Sequence, residues 1–156
     1  TARDGVGACD YGGDKGIFGF GNDGSETAVT NLVSNAGVVA TDTTGVGTAR
    51  PALAACEYGD DKGIFGSYGY TGSNVSMSNL VSNAGVVATD TTGVGTARYW
   101  VGATQYGGDK GIFGFGWLLA GSAVSMSNLV SNAGVVATDT AGVGTARRQV
   151  GACSFN

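Results

Sequence analysis

The chain says nearly the same thing three times. Residues 31–50, NLVSNAGVVATDTTGVGTAR, return unchanged as 79–98, and return again as 128–147 with Ala141 where Thr44 and Thr92 stand. Between these blocks YGGDKGIFGFG from Tyr11 is echoed by YGDDKGIFGSY from Tyr58 and by YGGDKGIFGFG from Tyr106, so the period is 47 and then 48 residues. A repeat of this length is one supersecondary unit that cannot bury its apolar face alone and depends on neighbours of its own kind. The chain reads as a single segment, 1–156, of three units at 4–50, 51–98 and 99–147, with 148–156 opening a further one. The element TARxxxGAC, or a close variant, starts at Thr1, Thr48, Thr96 and Thr145. With no initiator Met, this wording predicts a piece of a longer array or a protomer whose ends meet other protomers.

Within a unit the signals are for strands. In GIFGFG, Phe18 and Phe20 share one face and Ile17 and Gly19 the other, a period of two. GGDKG (12–16) is turn chemistry between two apolar stretches, and SNAG (34–37) separates a second pair. No segment carries a 3.6-residue stripe, and 30 glycines in 156 residues would cost ~1 kcal/mol at each helical position they occupied. The first unit therefore predicts four short strands, at 6–10, 15–21, 28–34 and 38–48. Four strands in ~40–50 residues is the pattern of a propeller blade.

The unit resembles a kelch-type β-propeller repeat. Arg50 precedes a small-residue strand with Ala54 and Ala55, then a turn, then Ile64-Phe65 running into glycine. A variable loop, a third strand, an Asn/Gly turn and a fourth strand lead to Arg98. Two features depart from the family pattern: its paired glycines are GFG here, and Val38, Val86 and Val135 stand where an aromatic residue is expected. The resemblance implies an all-β propeller of four-stranded antiparallel blades, three to the chain. The repeats also resemble those of viral or phage-associated surface proteins.

Units differ from one another at two places: after the arginine (4–6, 51–53, 99–101, 148–150) and between the second and third strands (22–26, 68–73, 117–122). In an up-and-down blade both connections emerge on one face, and the constant turns GGDKG and SNAG emerge on the other. Loops carry function while strands carry packing. The variable face, holding Tyr68, Tyr70, Tyr99, Trp100 and Trp117, is thus the candidate surface for a glycan or protein ligand. The alternative is that these rings cover the core or make an assembly contact. Arg50, Arg98 and Arg147 are the candidate anchors between blades, through backbone carbonyls or Asp42, Asp90 and Asp139.

Other chemistry has little support. Histidine is absent, and Cys9, Cys56 and Cys153 are too few and too scattered for a metal site or a disulfide scaffold. They read as small buried strand residues, or as a Cys9–Cys153 bridge at a chain junction. GFGNDG (19–24) matches a dinucleotide fingerprint but no helix follows it. The Asp-Lys pairs at 14–15, 61–62 and 109–110 read as hairpin ion pairs. Asn74-Val75-Ser76 is a glycosylation sequon whose meaning depends on secretion. Near-identical units place the same groups around a ring, whereas catalysis needs different groups in different roles. Asp23, Glu26, Asp60 and Asp61 are the only carboxylates offering a sugar-cleaving pair.

These readings predict no catalytic residue, no cofactor and no metal. A net charge of −4 with eight dispersed Lys and Arg gives no reason to bind nucleic acid, and no apolar run is long enough for a membrane span. A closed propeller takes about 4–8 blades, so three units predict a homo-oligomer, with two chains closing a six-bladed ring. The expected role is structural and self-assembling, with a lectin-like module as the alternative.

Overall fold

A computed structural model describes residues 1–66 and 69–155. It is all-β and antiparallel, and the described residues contain no helix. The first unit folds as β1 (Gly7–Tyr11), β2 (Lys15–Gly19) and β3 (Thr30–Val33), paired in that order. In the second, β4 (Ala55–Tyr58), β5 (Lys62–Phe65) and β8 (Asn79–Val81) form the sheet, while β6 (Gly69–Tyr70) and β7 (Asn74–Val75) make a small ribbon in the variable loop. The third repeats the scheme with β9 (Gly102–Tyr106), β10 (Lys110–Gly114) and β11 (Ser127–Val130). Register is the same throughout: Cys9 faces Ile17, Cys56 faces Ile64 and Thr104 faces Ile112.

Four-stranded blades are not seen. The segment expected as a fourth strand meets its neighbour only at isolated bridges, Val33–Val39 and Thr30–Thr43 in the first unit. The same two bridges recur as Val81–Val87 with Ser78–Thr91, and as Val130–Val136 with Ser127–Thr140. Three steps along β3 (30 to 33) oppose four along the other segment (39 to 43), so one residue is extra, the signature of a bulge. The cause is a side chain. Asn31 donates its amide to Ala40 O at 3.1 Å and to the Asp42 carboxylate at 2.8 Å, taking the place of a ladder hydrogen bond. Neither do the three sheets close on one another within the chain.

The core lies between units rather than inside them. Tyr11, Ile17 and Phe20 of the first unit pack with Leu53, Phe65, Val81 and Val87 of the second. Cys56, Tyr58 and Ile64 of the second pack with Val101, Phe113 and Val130 of the third. Thus β1 lies against β4 and β5, and β4 against β9 and β10. Glycine makes the approach close: a methyl group at Gly63 would stand 2.5 Å from Cys9 Sγ, and one at Gly111 would stand 2.6 Å from Cys56 Sγ.

Backbone hydrogen bonds stitch both ends of the stack. On one, Ala52 N–H donates to Gly5 O, Trp100 N–H to Ala52 O and Gln149 N–H to Trp100 O, at 2.9 to 3.0 Å. All four residues are left-handed, with φ from 53° to 63°. That conformation costs about 1–2 kcal/mol for a side chain such as Trp100's, and here it turns the N–H toward the preceding unit. On the other end Gly12 N–H donates to Asp61 O and Gly59 N–H to Asp109 O.

Candidate functional site

Each T-A-R element is gripped by the unit that follows it. Arg50 is fully buried, and both terminal nitrogens of its guanidinium are paired: Nη2 donates to Asn79 Oδ1 at 2.7 Å and Nη1 to Thr48 O at 2.9 Å. Asp90 stands 3.9 Å from Nη1 and accepts from the Thr48 N–H and hydroxyl at 3.0 and 2.6 Å. Asn79 closes the circuit, donating to Asp90 Oδ1 at 2.9 Å and to Ala88 O at 3.0 Å. The face of the guanidinium lies 4.4 Å from the Phe20 ring of the unit before, so one side chain bridges two units.

The same clamp recurs. Arg98 donates to Asn128, to Thr96 O and to Phe115 O, with Asp139 at 3.8 Å. Arg3 donates to Asn31 and Phe20 O, and Asp42 receives the N-terminal amine at 3.0 Å and the Thr1 hydroxyl. The expected aspartates therefore serve the arginine that closes the preceding unit: Asp90 pairs with Arg50 and Asp139 with Arg98. Arg147 differs. It is exposed and stacks 4.2 Å from the Phe115 ring. Sequence reading passed over Arg3 and the hub asparagines Asn31, Asn79 and Asn128. Their place at the head of the twenty-residue block was the available signal.

Electrostatics follow from burial. Desolvation pulls the Arg50 guanidinium down to about 10, still protonated at neutral pH. Burial also pushes the Asp90 carboxyl up, but hydrogen bonds from Thr48 and Asn79 and the Arg50 charge outweigh it and hold it below the ordinary range. Asp139 behaves alike through Thr96, Asn128 and Arg98.

At the opposite end of the strands the constant turns meet. Asp14 pairs with Lys15 at 3.0 Å and receives the Asn35 amide at 3.0 Å; Asp61 does the same with Lys62 and Asn83. Asp109, Lys110 and Asn132 repeat it. Lysine and asparagine hydrogen bonds hold these carboxyls below their usual range.

The variable loops do come together on one face. Asp4 bridges Asn22, Tyr99 bridges Trp117, and Tyr70 N–H donates to Pro51 O at 3.2 Å. They border an open cavity of about 930 Å³, at the upper end of small-ligand sites. Tyr70, Tyr99 and Trp100 line it, with Leu119 and the polar Asp4 and Asn22. Ring centroids run 5.8 Å from Tyr70 to Tyr99 and 4.7 Å from Tyr99 to Trp100. Trp117 is not in the lining. Arg148 lies 3.9 Å from its ring and 4.7 Å from that of Trp100, sharing its charge between them. Tyr68 lies outside the described residues.

The cysteines are free, so the Cys9–Cys153 bridge is not formed. Cys56 is buried in β4 and its thiol is pushed by desolvation up to about 12; that of Cys9 is raised for the same reason. Cys153 is exposed and outside any strand, against the expectation of a buried strand residue, because no sheet covers it. Asp23 and Glu26 sit in the loop after β2, whereas Asp60 and Asp61 sit in the turn before β5, at the other end of a sheet. The four carboxylates therefore belong to two places. Among the described residues no group of three His, Cys, Asp or Glu could hold a metal ion, and no helix is long and apolar enough to cross a membrane. Compared with known proteins, the chain matches no family model and none of the curated proteins.

Proposed function

We propose that this chain is a structural, self-assembling repeat protein without catalytic activity, whose units are blades of a propeller-like array completed by other chains. One observation carries the reading: residues that recur from unit to unit are used to join one unit to the next. Cys9 on Gly63 and Cys56 on Gly111 are the same contact made twice, and the Arg–Asn–Asp clamp is built at each of the three T-A-R elements that a unit follows. First strands lie against one another along the stack, β1 on β4 and β4 on β9, which supports reading them as inner strands of blades. Two chains closing a six-bladed ring is the simplest closed assembly of this design. Light scattering coupled to size exclusion, with electron microscopy of the eluted species, tests it. A stable monomer near 15 kDa at every concentration overturns it.

A second reading has its own observation, the 930 Å³ cavity lined by Tyr70, Tyr99 and Trp100. Paired aromatic rings beside Asp4 and Asn22 suit a sugar or a peptide, so the array would present lectin-like sites. Binding on a glycan array that is lost in Trp100→Ala, with assembly unchanged, supports it; no binding leaves the aromatic cluster a packing feature.

A further inference from the structure

The two internal joints have the same parts, and both outer faces of the stack carry them unused. In the first joint Phe65, fully buried, lies on Gly19, where a methyl group would come within 2.5 Å of its ring; in the second, Phe113 lies on Gly66 at 2.4 Å. The corresponding ring at the N-terminal face, Phe18, is 41% exposed. The corresponding glycine at the C-terminal face, Gly114, has nothing within 4 Å and borders an apolar cavity of about 380 Å³ with Gly102, Ile112 and Val143.

Three further pairs agree. Cys9 and Cys56 sit on Gly63 and Gly111; their outward equivalents are Thr104 on one face and, on the other, Gly16, which meets only Val33 and the Cys9 carbonyl of its own unit. Tyr11 with Leu32 covers Gly85, and Tyr58 with Leu80 covers Gly134; the outward set is Tyr106 with Leu129, which is 39% exposed, and Gly37, which meets nothing within 4 Å. Gly12 and Gly59 donate to Asp61 O and Asp109 O, leaving Gly107 on one face and Asp14 on the other. Repeating the internal step once more would match all four pairs together.

Resting on the self-assembly reading and giving it an address, we propose that a second copy of this chain docks head to tail, Phe18 of one entering the Gly102–Gly114 cavity of the other while Thr104 covers Gly16. Because the two faces differ, the contact is heterologous and propagates until it closes or continues as a filament. The tail must give way. Val150 now lies 2.5 Å from where a Gly102 methyl would stand, as Leu53 does on Gly7, in the place that Val6 of the incoming copy takes. Residues 151–155 are exposed and in no ladder, whereas β1 is paired with β2 at five positions, so the tail is the cheaper one to displace.

The test uses the whole chain in reductant, so that the exposed Cys153 cannot link copies. Gly114→Val enters open space, a Cβ at Gly16 meets Val33 at an ordinary 3.6 Å, and neither position has a positive φ, so Gly114→Val and Gly16→Val both fold, which circular dichroism checks. Sedimentation velocity should show the wild type assembled and each variant monomeric. Mixing the two variants should restore a dimer and nothing larger, since each keeps one good face. Val150→Ser should assemble at lower concentration than the wild type. Variants that assemble like the wild type, or a mixture that stays monomeric, would overturn this docking while leaving self-assembly standing. A wild type and Val150→Ser that both remain monomers overturn the two together.

Discussion

Asn79 is the most informative residue to remove. Its side chain is fully buried and makes three hydrogen bonds, accepting from Arg50 and donating to Ala88 O and Asp90. Asn79→Ala leaves the fully buried Arg50 Nη2 facing an apolar methyl. Leaving a buried donor without its acceptor costs about 1–3 kcal/mol, toward the upper end for a charged group. A chain of this size loses roughly 2–4 °C in Tm per kcal/mol, so the variant should melt well below the wild type. Asn31→Ala is the control within the same molecule. It removes the same bonds from an identical local sequence, but Asn31 and Asp42 are partly open to solvent, so water replaces what is lost. Urea unfolding followed by circular dichroism should therefore show a distinctly larger loss for Asn79→Ala. Equal losses, or a loss under about 1 kcal/mol at Asn79, would refute the claim that burial by the neighbouring unit gives the clamp its strength.

Three other outcomes follow from the same joints. Gly63→Ala places a methyl group 2.5 Å from Cys9 Sγ and should cost about 1–3 kcal/mol by overpacking, whereas Gly16→Ala, whose methyl meets Val33 at an ordinary 3.6 Å, should cost nothing measurable in the monomer; thermal melts compare them. Asp90 and Asp139 have lowered folded pKa values, so their contribution is present above the unfolded carboxyl value of about 3.9 and is lost as pH falls below it. Urea midpoints that decline from about pH 5 to pH 3 in the wild type should decline less in Asp90→Asn. A thiol reagent at neutral pH should label Cys153 at once and reach Cys9 and Cys56 only on unfolding, since each sulfur packs on a glycine of the next unit and desolvation raises both thiols; one fast thiol of three is the expected count, read by mass spectrometry.

Period and alternation made the strands legible. β1, β2 and β3 lie within two residues of their expected positions because turns at 12–16 and 34–37 leave the intervening segments little choice. The fourth strand was misjudged for a physical reason: VVATDTT has strand composition, but its ladder is interrupted by the Asn31 amide and the extra residue beside it. Local propensity says nothing about a side chain that substitutes for a backbone donor. The joining of the variable loops on one face was readable from topology alone. What was not readable is which ring lines the cavity: Trp117 is drawn to Arg148, a residue outside the repeated block, and Leu119 enters in its stead. The partners of the arginines were equally hidden, because the aspartate of an arginine's own unit and that of the following unit are indistinguishable in a perfect repeat.

Identical sequence does not mean identical burden here. Phe18, Phe65 and Phe113 occupy one position in the same G-I-F-G word, yet one is 41% exposed and the other two are fully buried. Nothing local separates them; only the presence of a unit on their outer side does. The glycines show the complementary half. At Gly63 and Gly111 the missing methyl lets a cysteine sulfur seat on the backbone, so the units stack closer than two side-chain-covered sheets at ~10 Å would allow. At Gly16 the same residue meets only its own unit. A glycine kept in open space on a strand costs stability by roughly 0.5–1 kcal/mol and returns nothing until something packs on it. An isolated stack is therefore a worse structure per residue than a longer one, and the free energy of adding a unit should be more favourable than that of folding one. Appending a fourth copy of residues 99–147 should raise the Tm, and a three-unit chain that proves as stable as the four-unit one would show that the joints contribute less than the units themselves.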